Sequence, residues 1–376
     1  MPVAPAGRHR RVGTRMARES DRASVRRARD APERGQPCRN ARAGRTIRCW
    51  ALALAAGIAG APASAVPSTT LPSSGAGSAL TVVDEGRKTL LEGSAAIERR
   101  DGNDVYVMME ARLNLAAGNL RPGMRPPDYP AAEYAAFERG VAVLDTALIE
   151  RLLAGRIGEM GGVRGAGEVW IRSSLDDSLQ PVGLYVPSSY DRHAPAPLVI
   201  FLHGRHTAED EVVAAPMLQR LAESSGAIVV APYARGDAGY DGRAAQDVYD
   251  ALDAATRAFA VDPRHVCLAG FSMGAFAVFH LAVRHAQRWS ALLAAAGTLT
   301  DGSRETIARR LRGMPVYLVS DTNDAVVTPR EVRATARFLR TSGVHVHEYP
   351  LIGGHHALYA LEPALQRAWH AMLGDS

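Results

Sequence analysis

The chain has 376 residues, of which 47% are hydrophobic and 22% charged, with 35 glycines and three cysteines. This composition is typical of a globular protein, and it excludes a disordered, collagen-like or disulfide-stapled chain. The formal net charge of +5 is unevenly distributed: residues 1–65 hold 14 arginines and four acids, and the remainder carries 30 basic and 35 acidic groups. Because the basic excess lies in an N-terminal segment that we expect to be absent from the mature protein, the sequence does not predict a nucleic-acid partner.

The N-terminal segment ends in the pattern of a secretory signal. Arg45 and Arg48 precede an apolar run at residues 49–61, and an A-x-A cleavage site ends at Ala65. The apolar run is too short to span a bilayer. We therefore predict a leader over residues 1–65 and a periplasmic or secreted protein without integral membrane association. A buried helix or membrane anchor at residues 49–62 is the alternative.

Three regions follow the leader. Residues 66–79 are rich in Pro, Ser, Gly and Ala without periodicity, which predicts a linker. Residues 80–165 repeat apolar side chains at helical spacing, which predicts a helical extension. From residue 166 to residue 376 short apolar runs alternate with helical stretches, and this pattern predicts a separate α/β domain.

The α/β domain has the pattern of a mostly parallel sheet with helices on both faces. Two β-prone runs, at residues 169–172 and 182–186, predict an antiparallel pair. Continuous apolar runs, which indicate strands buried on both faces, follow at residues 197–202, 226–231, 265–269, 290–295 and 315–319, and a further strand is predicted at 344–349. Helical stretches lie between them at residues 213–224, 243–259, 274–287, 303–312 and 329–342.

The motif Gly270-Phe271-Ser272-Met273-Gly274 carries the strongest chemical signal. It lies between the predicted strand at 265–269 and the helix that opens near Gly274. A serine on a sharp strand-to-helix turn presents its hydroxyl as a nucleophile, and flanking glycines allow the close backbone approach that the turn requires. The pentapeptide alone is a weak signal, and its position between strand and helix strengthens it.

Two acids and two histidines complete a candidate triad. Asp321 and Asp324 follow the strand at 315–319, and His355 and His356 follow the strand at 344–349. Both groups are therefore predicted at the carboxyl ends of strands, on the same edge as Ser272. A serine hydroxyl needs a neutral imidazole to take its proton and a carboxylate to orient that imidazole.

Taken together, these motifs make residues 167–374 resemble a secreted serine hydrolase of the α/β-hydrolase fold. Within that fold the chain is similar to polyhydroxybutyrate-depolymerase-like esterases and to the catalytic domain of the prolyl-oligopeptidase family. The resemblance rests on His203-Gly204 after a strand, the Gly270–Gly274 motif, the Asp324 segment and Gly354-His355. It implies that residues 166–376 are the catalytic domain, and the extension at 80–165 matches neither family pattern.

The resemblance also implies a role for individual residues. Ser272 would be the nucleophile and Asp324, in an Asp-x-x-Val segment like that of the family, is preferred over Asp321 as the acid. His355 is preferred over His356 as the base, because the family's histidine usually follows a glycine directly. The backbone N–H groups of Met273 and Arg205 would bind the oxyanion.

Side chains near the predicted edge could also contact substrate. His206 lies on the loop beside the predicted nucleophile, and Tyr233 and Tyr240 lie in the loop after the strand at 226–231, so all three are candidates for substrate binding; a solvated polar loop is the alternative. We expect no cofactor and no metal site, because the sequence contains neither a CxxC nor an HExxH pattern.

Three functions are compatible with these residues. The first is a serine hydrolase that acts on carboxylic esters, small or oligomeric, through an acyl-enzyme; the second is a serine peptidase of the prolyl-oligopeptidase type; the third is a non-catalytic binding protein. The third is disfavoured because all three residue types of the triad are in place. The connections between strands are short, so the active-site edge is expected to be open unless the extension covers it, and short acyl groups are then expected to be hydrolysed best.

Overall fold

The computed structural model describes residues 78–121, 123–299 and 304–374, and these residues all belong to one compact unit. The predicted leader at residues 1–65, and the linker up to residue 77, lie outside the described residues. Among the helices described, none is both long enough and apolar enough to cross a membrane.

An eight-stranded sheet forms the centre of this unit. The strand order is β1-β2-β4-β3-β5-β6-β7-β8. β2 pairs antiparallel with both β1 and β4, and all other neighbouring strands pair parallel. The strand bounds are β1 Gly165–Arg172, β2 Leu179–Val186, β3 Ala196–Leu202, β4 Ile228–Pro232, β5 Val261–Phe271, β6 Ala291–Ala295, β7 Pro315–Asp321 and β8 His345–Leu351. The predicted antiparallel pair and mostly parallel sheet are confirmed.

Ten α-helices are assigned in the described part of the chain. Their bounds are α1 Ala79–Asp101, α2 Asn103–Asn119, α3 Ala131–Leu153, α4 Glu209–Ala214, α5 Pro216–Ser225, α6 Arg243–Ala258, α7 Met273–Arg284, α8 Arg304–Arg310, α9 Pro329–Thr341 and α10 Glu362–Leu373. The helix expected at 213–224 is divided into α4 and α5 because Pro216 cannot donate the backbone bond of a continuing helix and instead begins a new one. Helix α10 was not among the predicted elements.

Alternation along the strands gives the sheet two apolar faces. In β3, Leu198, Ile200 and Leu202 lie in one core and Val199 and Phe201 in the other. Helices α6, α7, α8 and α9 cover the first face, and α5 and α10 pack on the second. Helices on both faces of a mostly parallel sheet confirm the predicted α/β fold class.

The N-terminal helices α1, α2 and α3 share the second core. Leu90, Met109 and Leu148 are fully buried there with the sheet residue Trp170, whose indole Nε1 donates to the Leu148 carbonyl at 3.0 Å. The boundary predicted between residues 165 and 166 falls at the start of β1, and the hydrophobic core runs across it. The helical extension is therefore packed against the sheet and lies close enough to its edge to take part in the site.

The parallel strands bring the chemically important loops to one edge. β3 ends at Leu202, β5 at Phe271, β7 at Asp321 and β8 at Leu351, and the loops that follow carry the residues singled out from the sequence. This is the arrangement expected of an open α/β sheet, in which the site lies outside the carboxyl ends of the strands.

Candidate active site

Ser272 occupies a strained turn between β5 and α7. Its φ of 50° lies in the left-handed region, and its N–H donates to the Ala295 carbonyl of the neighbouring strand at 3.0 Å. A side chain on Gly270 would place its Cβ 2.5 Å from the carbonyl carbon of Gly274, and one on Gly274 would lie 2.2 Å from the Leu202 oxygen. The glycines are thus required by the backbone contacts that force the serine outward.

His356 lies against the serine hydroxyl. Its Nε2 is 2.9 Å from Ser272 Oγ, and its Nδ1 is 2.7 Å from Asp324 Oδ2. The imidazole packs against the Phe271 ring, with 5.2 Å between the ring centroids. A carboxylate that accepts from Nδ1 leaves Nε2 as the proton acceptor that faces the hydroxyl.

The prediction that His355 is the histidine beside Ser272 is wrong. The His355 ring points away from the serine, and its Nε2 lies 2.7 Å from Asp128 Oδ2 in the loop between α2 and α3. The segment after β8 turns through Gly353, whose φ is 90°, and through Gly354, whose N–H donates to Asp321 Oδ2 at 2.8 Å. This path places the second histidine, not the one directly after glycine, over Ser272.

Asp324, the acid preferred from the sequence, is the carboxylate that contacts His356. Its side chain is buried, and its Oδ1 accepts from the backbone N–H groups of Val326 and Val327, each at 2.8 Å. Asp321 instead accepts from the N–H groups of Asn323 and Gly354. The two acids therefore have different tasks, since Asp324 faces the histidine and Asp321 ties the two loops together.

The loop after β3 passes beside Ser272. A Cβ built on Gly204 would lie 3.0 Å from the Phe271 ring and 3.6 Å from the Ser272 Cβ, so the Gly204 backbone is close to the serine. Arg205 follows in this loop and lines the cavity in front of Ser272, and Met273 is the first residue of α7. N–H groups in the first turn of a helix have no partner within the helix, so that of Met273 is available as a donor.

A cavity of about 430 Å³ opens in front of the serine. Its lining comes from four regions: the extension, the segment from β3 to α5, the β5–α7 turn that carries Ser272, and the segment after β8 that carries His356. Most of the lining is apolar, and its apolar and aromatic members are Met124, Pro126, Tyr129, Tyr134, Phe137, Phe201, Val212, Ala215, Met217, Phe271, Ala357, Leu358 and Tyr359.

The extension therefore forms a wall of this cavity. The active-site edge was expected to be open only if the extension did not cover it, and this condition is not met. The cavity lining from the extension consists of Asn119, Met124, Pro126, Tyr129, Tyr134 and Phe137. The sequence carried no signal for this contact, because the pairing of a loop with a distant edge depends on how the extension packs. Tyr129 and Tyr134 were not among the residues that the sequence singled out for the site.

The candidate substrate-binding residues divide between two locations. His206 lines the cavity. Its backbone N–H donates to Asp237 Oδ1 at 2.9 Å, and its Nδ1 lies 3.0 Å from Asp237 Oδ2. Tyr233 and Tyr240 do not line the cavity, so this expectation is wrong for both. Tyr240 is fully buried and donates to the His203 carbonyl, and the Tyr233 ring lies under the Arg112 guanidinium at 5.7 Å.

Glu211 is a polar lining residue that the sequence did not single out. It lies on α4, and its Oε1 accepts from the Asn119 side chain at 3.1 Å. Burial, reinforced by the neighbouring charge of Asp210, raises the pKa of this carboxyl well above its ordinary value. The cavity thus combines an apolar wall with a carboxyl group whose pKa its surroundings raise.

The Esterase family model matches residues 177–369, which is just over half of the chain. The chain belongs to the Esterase family. The matched segment contains Ser272, Asp324 and His356 and excludes the helices α1, α2 and α3. The resemblance to esterases that the motifs indicated is therefore confirmed for the family.

Individual proteins similar to this Esterase-family chain match between 40% and 56% of it. A bifunctional acetylxylan esterase/xylanase of Neocallimastix patriciarum is 28% identical over 157 residues, which is 40% of this chain and 22% of that protein. The structure of a CE1 ferulic acid esterase from Anaeromyces mucronatus in complex with ferulic acid is 15% identical, with a TM-score of 0.45, over 56% of this chain and 91% of that one. An S-formylglutathione hydrolase from Agrobacterium tumefaciens is also 15% identical, with a TM-score of 0.45, over 56% and 95%.

Proposed function

We propose that this protein is a serine hydrolase of carboxylic esters that works through an acyl-enzyme. The observation that carries the proposal is the continuous contact from Asp324 through His356 to Ser272, with donor–acceptor distances of 2.7 and 2.9 Å. Contacts of this length allow a proton to pass from the serine to the imidazole while the carboxylate keeps the imidazole in the required tautomer. Membership of the Esterase family favours an ester over a peptide as substrate.

The reaction follows from the positions of these groups. His356 Nε2 takes the hydroxyl proton as Ser272 Oγ attacks the ester carbonyl, and Asp324 stabilises the imidazolium that forms. The backbone N–H groups of Met273 and Arg205 are proposed to receive the oxyanion of the tetrahedral intermediate. The imidazolium then returns its proton to the departing alcohol. Water, activated by the same imidazole, hydrolyses the acyl-serine and releases the acid.

The cavity favours esters that carry a larger apolar group. Its aromatic and aliphatic lining can shelter such a group from water, and each buried methylene gains about 0.8 kcal/mol. The earlier expectation of best activity on short acyl groups assumed an edge without a cover, and the wall formed by the extension removes that assumption. We propose instead a preference for esters with an aromatic or medium-length apolar group.

A panel of p-nitrophenyl esters and aminoacyl-p-nitroanilides tests the proposed reaction. Wild-type protein is expected to hydrolyse the esters and to favour 3-phenylpropanoate over acetate, and Ser272→Ala protein prepared in parallel controls for contaminating esterases. Faster cleavage of the anilides than of the esters would support the peptidase alternative. Failure to hydrolyse or covalently bind any of these compounds would leave the non-catalytic alternative.

Export is a further part of the proposal. It rests on the apolar run at residues 49–61 and the A-x-A site that ends at Ala65, all outside the described residues. Expression of the full chain in a secreting bacterial host, followed by N-terminal sequencing of the exported protein, is expected to give a chain that begins at Val66. An exported protein that retains the apolar run would contradict this.

A further inference from the structure

A cluster of three polar side chains joins the extension to the segment that carries His356. Asp128, in the loop between α2 and α3, accepts from the Tyr359 hydroxyl at 2.8 Å through Oδ1 and contacts His355 Nε2 at 2.7 Å through Oδ2. The Tyr359 hydroxyl is also 3.1 Å from His355 Nε2. The hydrogen bonds from Tyr359 and His355 lower the pKa of Asp128, so its carboxylate stays ionised as an acceptor for both.

Aromatic packing reinforces this contact. The Tyr129 ring stacks on the Tyr359 ring with 4.3 Å between centroids and an interplanar angle of 15°, and Tyr134 meets Tyr129 edge-on at 5.4 Å. Tyr129 is 7% exposed, although its loop lies at the surface. The Arg125 guanidinium donates to the Tyr129 carbonyl at 2.5 Å and so closes the loop upon itself. The loop is therefore held by polar bonds at Asp128 and by a ring stack at the next residue.

The same loop supplies part of the cavity wall. Met124, Pro126 and Tyr129 line the cavity from the extension, and Leu358 and Tyr359 line it from the segment after β8. Asp128 bridges these two sides, since its partners His355 and Tyr359 lie on either side of Leu358 in the chain. A wall made of two segments keeps its shape only while the segments remain joined.

We propose that Asp128, together with His355 and Tyr359, fixes the α2–α3 loop as the wall that selects the larger apolar group of an ester substrate. Asp128 and His355 act as positioning residues, and Met124 and Tyr129 are the side chains that meet the substrate. The extension, which lies outside the segment matched by the Esterase family model, thereby sets substrate preference for a triad built entirely within that segment. This inference rests on the proposed function of Ser272.

The arrangement also accounts for the two adjacent histidines. His356 is engaged by Ser272 and Asp324, and His355 takes no part in that relay because Asp128 holds its ring on the other side of the segment. Loss of the Asp128 bond is expected to loosen the wall while the Asp324–His356 contact, which Asp128 does not touch, remains. The contacts among Asp128, His355 and Tyr359, called the clamp below, are therefore expected to control selectivity between small and large esters.

Asp128→Ala tests the proposal with two pairs of esters. The first pair is p-nitrophenyl acetate and p-nitrophenyl 3-phenylpropanoate, which differ in the acyl group; the second is ethyl butyrate and 2-phenylethyl butyrate, which differ in the alcohol. In at least one pair the kcat/KM of the larger ester is expected to fall about 10-fold more than that of the smaller ester, mainly through KM, because a loosened wall no longer provides fixed contacts. Tyr359→Phe, which keeps the ring stack and removes the hydroxyl, should shift the ratio in the same direction by less.

Asp84→Ala is the matched control. Asp84 is an exposed aspartate of the same extension, paired with Arg87 at 2.9 Å on α1, and it does not line the cavity. This variant should keep the wild-type ratio in both pairs. Equal losses for the small and large esters of each pair, an unchanged ratio in Asp128→Ala, or a ratio that moves toward the larger ester would each overturn the proposal. If Asp128→Ala does not fold, the ratio in Tyr359→Phe decides by the same criteria.

A second measurement separates this inference from the proposed reaction. Ser272 is labelled with a small ethyl fluorophosphonate and with a bulky aryl-alkyl fluorophosphonate, and neither reaction needs turnover. If wild-type protein is labelled by both probes but hydrolyses no ester, the proposed function is refuted and the inference about Asp128 is not. The clamp would still be supported if Asp128→Ala slowed labelling by the bulky probe more than by the small one, and it would be refuted if both rates changed equally.

Discussion

The Nε2 atom of His356 lies 2.9 Å from Ser272 Oγ. The adjacent His355 contacts Asp128 instead, so two neighbouring imidazoles serve two different parts of the molecule. Consecutive residues in a loop present their side chains in different directions, and one of the pair can be replaced without removing the other's contacts. This separation allows the role of each histidine to be tested by single substitutions.

His356→Ala is expected to reduce kcat/KM for ester substrates by about 10³-fold or more, because no group remains to take the serine proton. His355→Ala should cost less than about 10-fold on a small ester such as p-nitrophenyl acetate. Steady-state kinetics of the two purified variants, with circular dichroism to verify folding, make the comparison. A nearly fully active His356→Ala enzyme beside an inactive His355→Ala enzyme would return the role to the first histidine.

Ser272→Ala is expected to abolish formation of the acyl-enzyme and to reduce kcat by about 10³-fold or more, since only binding and the oxyanion donors remain. A fluorophosphonate probe should label the wild-type protein at Ser272 and leave the variant unlabelled, as read by peptide mass spectrometry. Labelling of another serine in Ser272→Ala protein, with activity retained, would show that the nucleophile lies elsewhere.

Asp324→Asn should reduce kcat by about 10²-fold or more, because an amide at this position can hold the imidazole in the wrong tautomer and cannot stabilise the imidazolium. Asp321→Asn is the matched comparison, since Asp321 is equally buried but accepts from the backbone of Asn323 and Gly354. This variant should affect stability more than turnover. Equal activity of Asp324→Asn and wild type would remove Asp324 from the proposed relay.

The sequence predicted those parts of the site that depend on local pattern. Ser272 is predicted because strand, tight turn and helix follow one another within a few residues. An acid is predicted after the strand at 315–319 for a similar reason, and the preference for Asp324 over Asp321 rests on the resemblance of its segment to the Asp-x-x-Val segment of the family. The choice between His355 and His356 depends on how the segment after β8 turns at Gly353 and Gly354, which no periodicity records. Apolar period and loop position likewise do not separate a tyrosine that lines a cavity, such as Tyr129, from one buried in a core, such as Tyr240.

The contacts between the extension and the rest of the fold are a second feature that local sequence pattern does not predict. Arg112 on α2 is buried and meets Asp145 of α3 and Glu168 of β1, each at 3.0 Å, together with Glu209 and Asp210 of α4. Each of these residues reads in the sequence as an ordinary charged residue of a helix or strand. Folding brings one guanidinium and four carboxyl groups together in the same buried place. Because burial changes the pKa values of such groups, the free energy of unfolding depends on their ionisation.

The stability of the fold is therefore expected to depend on pH through Glu209. Burial raises the pKa of this carboxyl to about 7, against the opposing effect of Arg112, so the folded chain binds its proton more tightly than the unfolded chain does. Between its ordinary value and about 7 the folded state holds more protons, and the free energy of unfolding falls as pH rises, with a slope of up to about 1.4 kcal/mol per pH unit for one proton.

Glu209→Gln should reduce the pH dependence of the free energy of unfolding below about pH 7, because a neutral amide of similar shape has no proton to lose. Urea unfolding of wild type and variant between pH 5 and pH 8 measures the difference, and the gap between the two proteins should change with pH across this window. Glu92→Gln is the matched control, since Glu92 is an exposed carboxylate of α1 near Lys88 and should leave the slope unchanged. Parallel profiles for wild type and Glu209→Gln would mean that Glu209 is already ionised in the folded protein throughout the window, and that the Arg112 charge outweighs its burial.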